Sequence, residues 1–365
     1  MTNIKYRLML IMGYLGAVIG AGFASGQEIV QFFVGYGSFG FKGALLATAL
    51  FAICGGCLLY LAHSLKVSNY QYILLHLLGP KLGKVVDFLL AIFLFLGIST
   101  MLSASGAVFY EHLYLPKSTG VFLAYGLVVC MLMWGKRGLI FSYNVIVPIK
   151  LVLLLIISGY AALFIQGNQI ETYTAFLCPT EARFWIVSAI LYVAYNFALA
   201  MVVLTEYQNI SGRRDGIWGS ILGGLVLGLL VTLNYMALSK FLPVVLHYEV
   251  PMLYVAGQIS LTAKHVYTLV LWFGILTTAL ANAYGFAQRF SNFVGISYTV
   301  SLVLCMTLAL PISMQSFSVL VTKIYPIFGI LGVLILVALI YRAIIEVGKE
   351  VYARIRQFIC KMKEV

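Results

Sequence analysis

The chain has 365 residues, of which 62% are hydrophobic and only 9% charged. That composition excludes a water-soluble fold, and with it disorder, coiled coil and collagen. The formal charge of +12 does not point to nucleic acid, because the basic residues are scattered between apolar runs, as in the loops of membrane proteins. A lipid bilayer is the expected surrounding.

Since a helix needs ~20 apolar residues to cross a bilayer, a window of ~19 residues places the spans at 7-35, 40-66, 84-111, 118-135, 141-166, 184-207, 216-240, 266-288, 294-314 and 318-342. Strands would show ~10-residue alternation, which is not seen, so the fold is predicted to be all-α, a polytopic bundle of about ten helices. With a cytoplasmic N-terminus, sixteen of the 23 lysines and arginines fall on the cytoplasmic side and six on the other, leaving Lys150 inside the membrane. This fits the positive-inside rule and puts both termini in the cytoplasm. The first apolar run has no small-residue cleavage site after it and is expected to stay as a span.

Six cysteines give no secreted disulfide framework, because Cys54, Cys57, Cys130 and Cys305 lie in apolar runs, Cys178 in a loop and Cys360 in the basic end of the chain. Cys54-Gly55-Gly56-Cys57 has CxxC spacing but no further ligands nearby, so small buried residues are the better reading and no metal site is expected.

The spans divide into two sets of five, 1-166 and 184-342, joined by a polar outer loop, 167-183. The remainder, 343-365, reads as a basic amphipathic cytoplasmic tail that lies on anionic headgroups or packs on the cytoplasmic loops. Five is odd, so the halves run in opposite directions, the plan of 5+5 inverted-repeat transporters, whose site lies at mid-membrane between the first helices of each half. That plan predicts that spans one and six are both interrupted.

Span one carries Gly16, Gly20, Gly22 and Gly26 within eleven residues, then Gln27 and Glu28. A glycine costs about 0.8 to 1 kcal/mol relative to alanine in a helix interior, so the weak point falls between Gly20 and Gly26, where unwinding frees peptide groups for a ligand. Close helix packing through the small-xxx-small spacing is the alternative. Span six has a lone Asn196 among Tyr195, Phe197 and Ala198. An unpaired amide in hydrocarbon is costly, so Asn196 either bonds a neighbouring helix or marks the second break.

In span five, Lys150 sits ~14 Å along the helix from Phe141, near the bilayer centre. A buried lysine there costs of order 2.5 to 3.5 kcal/mol and usually faces a cavity or a partner, unless its stem snorkels to the interface. Glu28 is the ionisable group inside span one. It is a candidate for holding a proton, attracting a cationic substrate, or pairing with Lys42 or Lys240. Glu249, in the outer loop before span eight, is a candidate cap on a closed gate.

The run GAVIGAGFASGQEI, the later YEVPML (Tyr248 to Leu253) and the span-ten YPIFGILG (Tyr325 to Gly332) resemble the YkvI-like bacterial membrane proteins, within the amino acid-polyamine-organocation transporter superfamily of the LeuT-type fold. The resemblance covers the whole chain and implies a bacterial inner-membrane location. It implies that Gly20, Ala21, Gly22, Phe23 and Ser25 at the first break, and Tyr195, Asn196, Phe197 and Ala198 at the second, surround a substrate, with Ala21, Gly22 and Phe23 offering amides to its carboxylate. Ser103 of span three is a further wall candidate. Thr277 and Thr278 of span eight match positions that supply hydroxyls to a sodium site in sodium-coupled members, completed by carbonyls of Gly16, Ile19 and Gly274. In some sodium-independent members a lysine on helix five takes the sodium's place, and Lys150 resembles it; a proton on Lys150 would then replace sodium.

The function expected from all this is secondary active transport of a small amino acid or related zwitterion or amine by alternating access, proton-coupled or sodium-independent through Lys150. The alternatives are sodium coupling through Thr277 and Thr278, or a ligand sensor on the same scaffold. Catalysis is not expected: His63, His76, His112, His247 and His265 fall near span ends or in loops, and no HExxH, GxSxG or phosphate loop occurs. No cofactor is expected beyond a coupling ion, H+ or alternatively Na+, and the partners expected are a small-molecule substrate and the lipid bilayer, with no nucleic acid.

Overall fold

The computed structural model describes residues 4–133, 136–166, 182–209 and 211–363, so the polar loop expected at 167-183 lies mostly outside the described residues. Among the described residues there are fourteen α-helices and no strand. Six of them are long and apolar enough to cross a membrane: Phe39–Leu65 (α4), Pro80–His112 (α6), and the helices that begin at Trp185, Arg213, Leu261 and Phe317. Four shorter apolar helices complete the set, within Ile4–Val18 (α1), Lys117–Met133 (α7), Lys136–Phe164 (α8) and Tyr298–Ser313. Eight of these ten coincide with the expected spans to within about six residues; α1 ends at Val18, well short of the expected 35, and the last helix runs on to Lys363, past the expected 342.

Between them stand short elements that the hydropathy window does not see. The first span continues beyond α1 as Ala21–Ser25 (α2) and Gln27–Phe32 (α3). Tyr70–Leu78 (α5) links α4 to α6, its N-terminus capped by the Asn69 side chain, which accepts from the Gln71 N–H at 2.8 Å. In the second half come Trp185–Glu206 (α9), Arg213–Ser239 (α10), Pro251–Ile259 (α11), Leu261–Val294 (α12), Tyr298–Ser313 (α13) and Phe317–Lys363 (α14). Pro251 opens α11 at a position where its missing N–H costs nothing.

Small residues set how closely the helices approach. Along the seam of α4 and α10, a Cβ on Gly224 would fall 2.5 Å from the Ala52 nitrogen, and one on Gly228 would collide with Thr48. Where α14 crosses α9, a Cβ on Gly332 would strike the Ala194 carbonyl, and one on Gly329 would lie 3.1 Å from Leu191. The glycines of the YPIFGILG run are therefore a packing device. Cys54 is buried and Cys57 partly buried, and both are free thiols, in keeping with small packing residues.

Ion pairs gather at the face that carries the start of α1 and the end of α14. Arg7 meets Asp215 at 2.8 Å, Arg289 meets Asp87 at 3.3 Å, and Arg213 pairs with Glu350. The segment expected as a tail from 343 continues α14 without a break. At ~1.5 Å per residue, the 47 residues of α14 reach well past a ~30 Å hydrocarbon core, and Glu350, which also accepts from the Tyr60 hydroxyl at 2.8 Å, holds the extension against α4 and α10.

The expectation that span six is interrupted is corrected. α9 runs unbroken for 22 residues from Trp185 to Glu206. Asn196 satisfies its amide locally, its Nδ2 donating to the Tyr192 carbonyl one turn earlier at 3.1 Å. A helix that can absorb its polar side chain in this way has no reason to open.

Candidate functional site

The first span is broken twice. α1 ends at Val18, and the Gly20 N–H turns back to the Val18 carbonyl at 2.8 Å, leaving Gly20 extended (φ −88, ψ −169). α2 starts with the Ala24 N–H on the Gly20 carbonyl at 3.0 Å, so the N–H groups of Ala21, Gly22 and Phe23 have no hydrogen-bond partner among the described residues. The second break is at Gly26, whose φ of +84 lies in the left-handed region, which side chains with a Cβ avoid. Ser25 makes the splice: its hydroxyl donates to the Gly22 carbonyl at 2.9 Å and accepts the Gln27 N–H at 3.2 Å.

At the first break the Lys150 ammonium, on a side chain only 1% exposed, donates to the Ile19 carbonyl at 2.5 Å. Its stem passes α12 so closely that a Cβ on Gly274 would lie 3.1 Å from Lys150 Cδ. Lys150, Ile19 and Gly274, expected around one cation position, are thus brought together, and snorkelling is excluded for this side chain. The Thr277 and Thr278 hydroxyls both donate back to the Gly274 carbonyl, at 2.9 and 3.0 Å. Gly16 lies about a turn earlier in α1 and is only partly buried.

Beside the break is a cavity of about 40 Å³, room for about three or four waters at ~10–15 Å³ each. α1 and α2 line it with Ala17, Val18, Gly20, Ala21 and Gly22; α9 adds Tyr195, Asn196 and Leu199; α6 adds Phe93, Gly97 and Met101; α12 adds Thr278 and Asn282; α14 adds Tyr325; and Glu28 of α3 closes one end. The partly exposed lining residues, Ala17, Gly20, Leu199 and Thr278, lie toward the face that carries the termini. On the other side every residue of α6 from Gly97 to Val108 is buried, and Phe32, Phe33, Tyr192 and Tyr195 stack into a plug with centroids 4.9 to 5.8 Å apart.

Glu28 is 4% exposed, makes no ion pair among the described residues, and leaves Oε2 without a hydrogen-bond partner. Its carboxylate rests on Gly22, where a Cβ would collide with it. The suggested partners are engaged elsewhere. Lys240 donates to the carbonyls of Ala161, Ala162 and Ile165 at 3.2, 2.6 and 2.8 Å, capping the end of α8, and Lys42 lies 5.1 Å above the Phe39 ring.

Several expected wall residues lie outside the cavity. Ser25 is the splice; Phe23 is fully buried in packing; Phe197 packs edge-on against Tyr14 at 6.4 Å, and Ala198 is buried beside it. Ser103 donates to the Gln315 carbonyl at 2.6 Å, beyond the plug, where Lys117 donates to the same oxygen at 2.5 Å. Glu249 works at that far face as well: its Oε2 accepts the Phe317 N–H at 2.6 Å and caps α14, while the Glu249 and Val250 N–H groups are held by Glu111 at 2.8 and 3.2 Å. Sequence reasoning missed Glu111, Asn282 and Tyr325. For Asn282 a signal existed, because a lone amide in an apolar span needs a polar contact; in the structure it faces Gly97, where a Cβ would lie 2.5 Å from Asn282 Nδ2.

The fold and cavity define an all-helical, multi-pass membrane protein with a broken first span. No family model matches the chain. It is similar to the uncharacterized membrane protein YkvI of Bacillus subtilis (strain 168), 29% identical over 330 residues, which cover 90% of this chain and 93% of that protein. A second relative from the same organism, the uncharacterized protein YyaD, is 27% identical over 349 residues, covering 95% of this chain and 99% of that one. Among solved structures, a manganese transporter of Eremococcus coleocola aligns with a TM-score of 0.57 at 11% identity, over 89% of this chain and 76% of that one, a likeness of fold alone.

Proposed function

We propose that this chain is a secondary active transporter of a small amino acid or related zwitterion or amine, working by alternating access around the cavity at the α1–α2 break. The carrying observation is the break itself: peptide groups left unpaired by the break face a cavity lined by helices of both halves, and a buried ammonium holds the Ile19 carbonyl at the same break, where a helix with only a packing role would run continuously. The fold shared with a manganese transporter supports a carrier, and its named cargo is not carried over. Lys150 supports sodium-independent coupling, because its ammonium occupies the Ile19 carbonyl and its stem crowds Gly274, while both threonine hydroxyls are directed to Gly274. The arrangement reads as open toward the face of the termini and closed at the other by the aromatic plug and the Glu111–Glu249–Phe317 latch.

The test is counterflow in proteoliposomes of a solute found by a thermal-shift screen of amino acids and amines. Labelled solute should accumulate against unlabelled solute inside. A sensor on the same scaffold would bind it without exchange across the bilayer.

A further inference from the structure

We propose that Glu28 is a shared site at which a small organic cation of the alkylammonium class and a proton bind in turn, so that the protein exchanges one for the other. This rests on the carrier reading above and narrows its substrate. Glu28 is more than nine-tenths buried, lines the cavity and lacks a countercharge. A buried carboxylate with only neutral neighbours must either be neutralised by a proton or hold a cation.

The groups facing it from the packed elements are neutral. α9 presents Tyr192, Tyr195 and Asn196, α14 presents Tyr325, α12 presents Thr278 and Asn282, and α6 presents Phe93, Gly97 and Met101. Tyr267 of α12 donates to the Ala24 carbonyl at 2.6 Å, and Tyr235 of α10 to the Gly37 carbonyl at 2.7 Å. Lys323 of α14 is exposed, and Lys150 is bound to Ile19 on the far side of the break.

Three aromatic rings set the chemistry of the cation. Phe93, Tyr195 and Tyr325 all line the cavity, with centroids 4.9 to 6.3 Å apart, and ring faces attract alkylated ammonium groups. A divalent metal is poorly served, because one carboxylate and neutral amides do not replace a dication's tightly held water, and no group of three His, Cys, Asp or Glu occurs among the described residues. An anionic group placed on the Gly22 amide would meet the Glu28 carboxylate resting on Gly22, so the anion half of a zwitterion is repelled unless Glu28 carries a proton. When the ammonium arrives, the proton leaves Glu28 for water, the ammonium keeps its own N–H bonds, and the cavity stays neutral in both states.

The experiment uses the full-length protein in detergent with methylammonium, ethylammonium and tetramethylammonium as probes, and with glycine betaine, acetate and manganese(II) chloride as comparisons. Binding is followed by thermal shift and by a pH dye in weak buffer. On the acidic side of the Glu28 titration the cations should bind with release of close to one proton and apparent affinity should fall about tenfold per pH unit, and both effects should vanish on the alkaline side, as one-for-one competition requires. Glu28→Gln should lose both the proton release and on the order of a hundredfold or more in affinity, and Glu28→Asp should keep the release. Infrared difference spectra between acid and alkaline pH should show a carboxylic acid band that Glu28→Gln lacks. The proposal is overturned if folded wild-type protein binds none of the three cations, binds them with neither proton release nor loss of affinity as the pH is lowered, or prefers acetate or manganese. If cations bind and release protons but counterflow fails, the exchange site stands and the carrier reading falls. If a zwitterion is carried equally well by Glu28→Gln, the carrier reading stands and the exchange site falls.

Discussion

The first spans of the two halves, α1–α3 and α9, occupy facing sides of one cavity, yet one is broken twice and the other is whole. The difference lies in what each sequence offers the backbone. From Gly20 to Gly26 the chain has three glycines and a serine whose hydroxyl bridges the gap, accepting one amide and donating to one carbonyl. α9 offers a single Asn196 in a run that holds no glycine and no proline, and a single amide is absorbed by the carbonyl one turn back. An unwound site in a membrane helix needs several weak residues together with a replacement partner for the freed groups.

Four substitutions break or sharpen this contrast. The largest effect is expected for Lys150→Ala, which removes the Ile19 partner. Uptake driven by a pH gradient should drop to background; uptake that persists and follows a sodium gradient would move the coupling site to Thr277 and Thr278. Next, Gly22→Val places a side chain where the Glu28 carboxylate rests, and the strain of overpacking, ~1–3 kcal/mol, should remove the ligand-induced thermal shift; a full shift would count against the broken helix as binding site. Gly26→Ala should lower stability by ~1–2 kcal/mol from the left-handed backbone alone, with more from Met252, whose Cγ is 2.7 Å from the new Cβ. Equilibrium unfolding in detergent reads it, and an unchanged midpoint would mean that the second break is dispensable. The smallest effect on folding is expected for Asn196→Ala. Because α9 is already continuous, the change in stability should be that of one hydrogen bond, ~0.5–1.5 kcal/mol, while ligand affinity falls roughly tenfold, ~1.4 kcal/mol; unchanged affinity in titration calorimetry would take Asn196 out of the site.

Much of the bundle was legible because lipid imposes long apolar runs, and ten of them are easily found. The break in span one was legible from glycine density, Glu28 and Lys150 from their charge in an apolar setting, and the meeting of Lys150 with Ile19 and Gly274 from the family resemblance. Ser103 was misplaced because a hydroxyl in a membrane helix carries no sign of which neighbour it faces, and here it faces Gln315. Phe93, Met101 and Tyr325 were invisible for a related reason: an aromatic or a methionine that lines a cavity reads the same as one that faces lipid. Only the approach of distant helices separates the two, and that depends on packing spread over the whole chain.

The glycine seam between α4 and α10 limits how the protein can change shape. With Gly224 seated on the backbone of Ala52, Gly228 on Thr48, and Gly55 so placed that a Cβ on it would lie 3.0 Å from the Ser220 carbonyl, the pair interlocks like teeth and has no room to slide. In the proposed alternating access, a motion that opens the cavity to the opposite side would carry these two rods together as a single lever, and the short, twice-jointed α2 and α3 are the hinge that reading assigns.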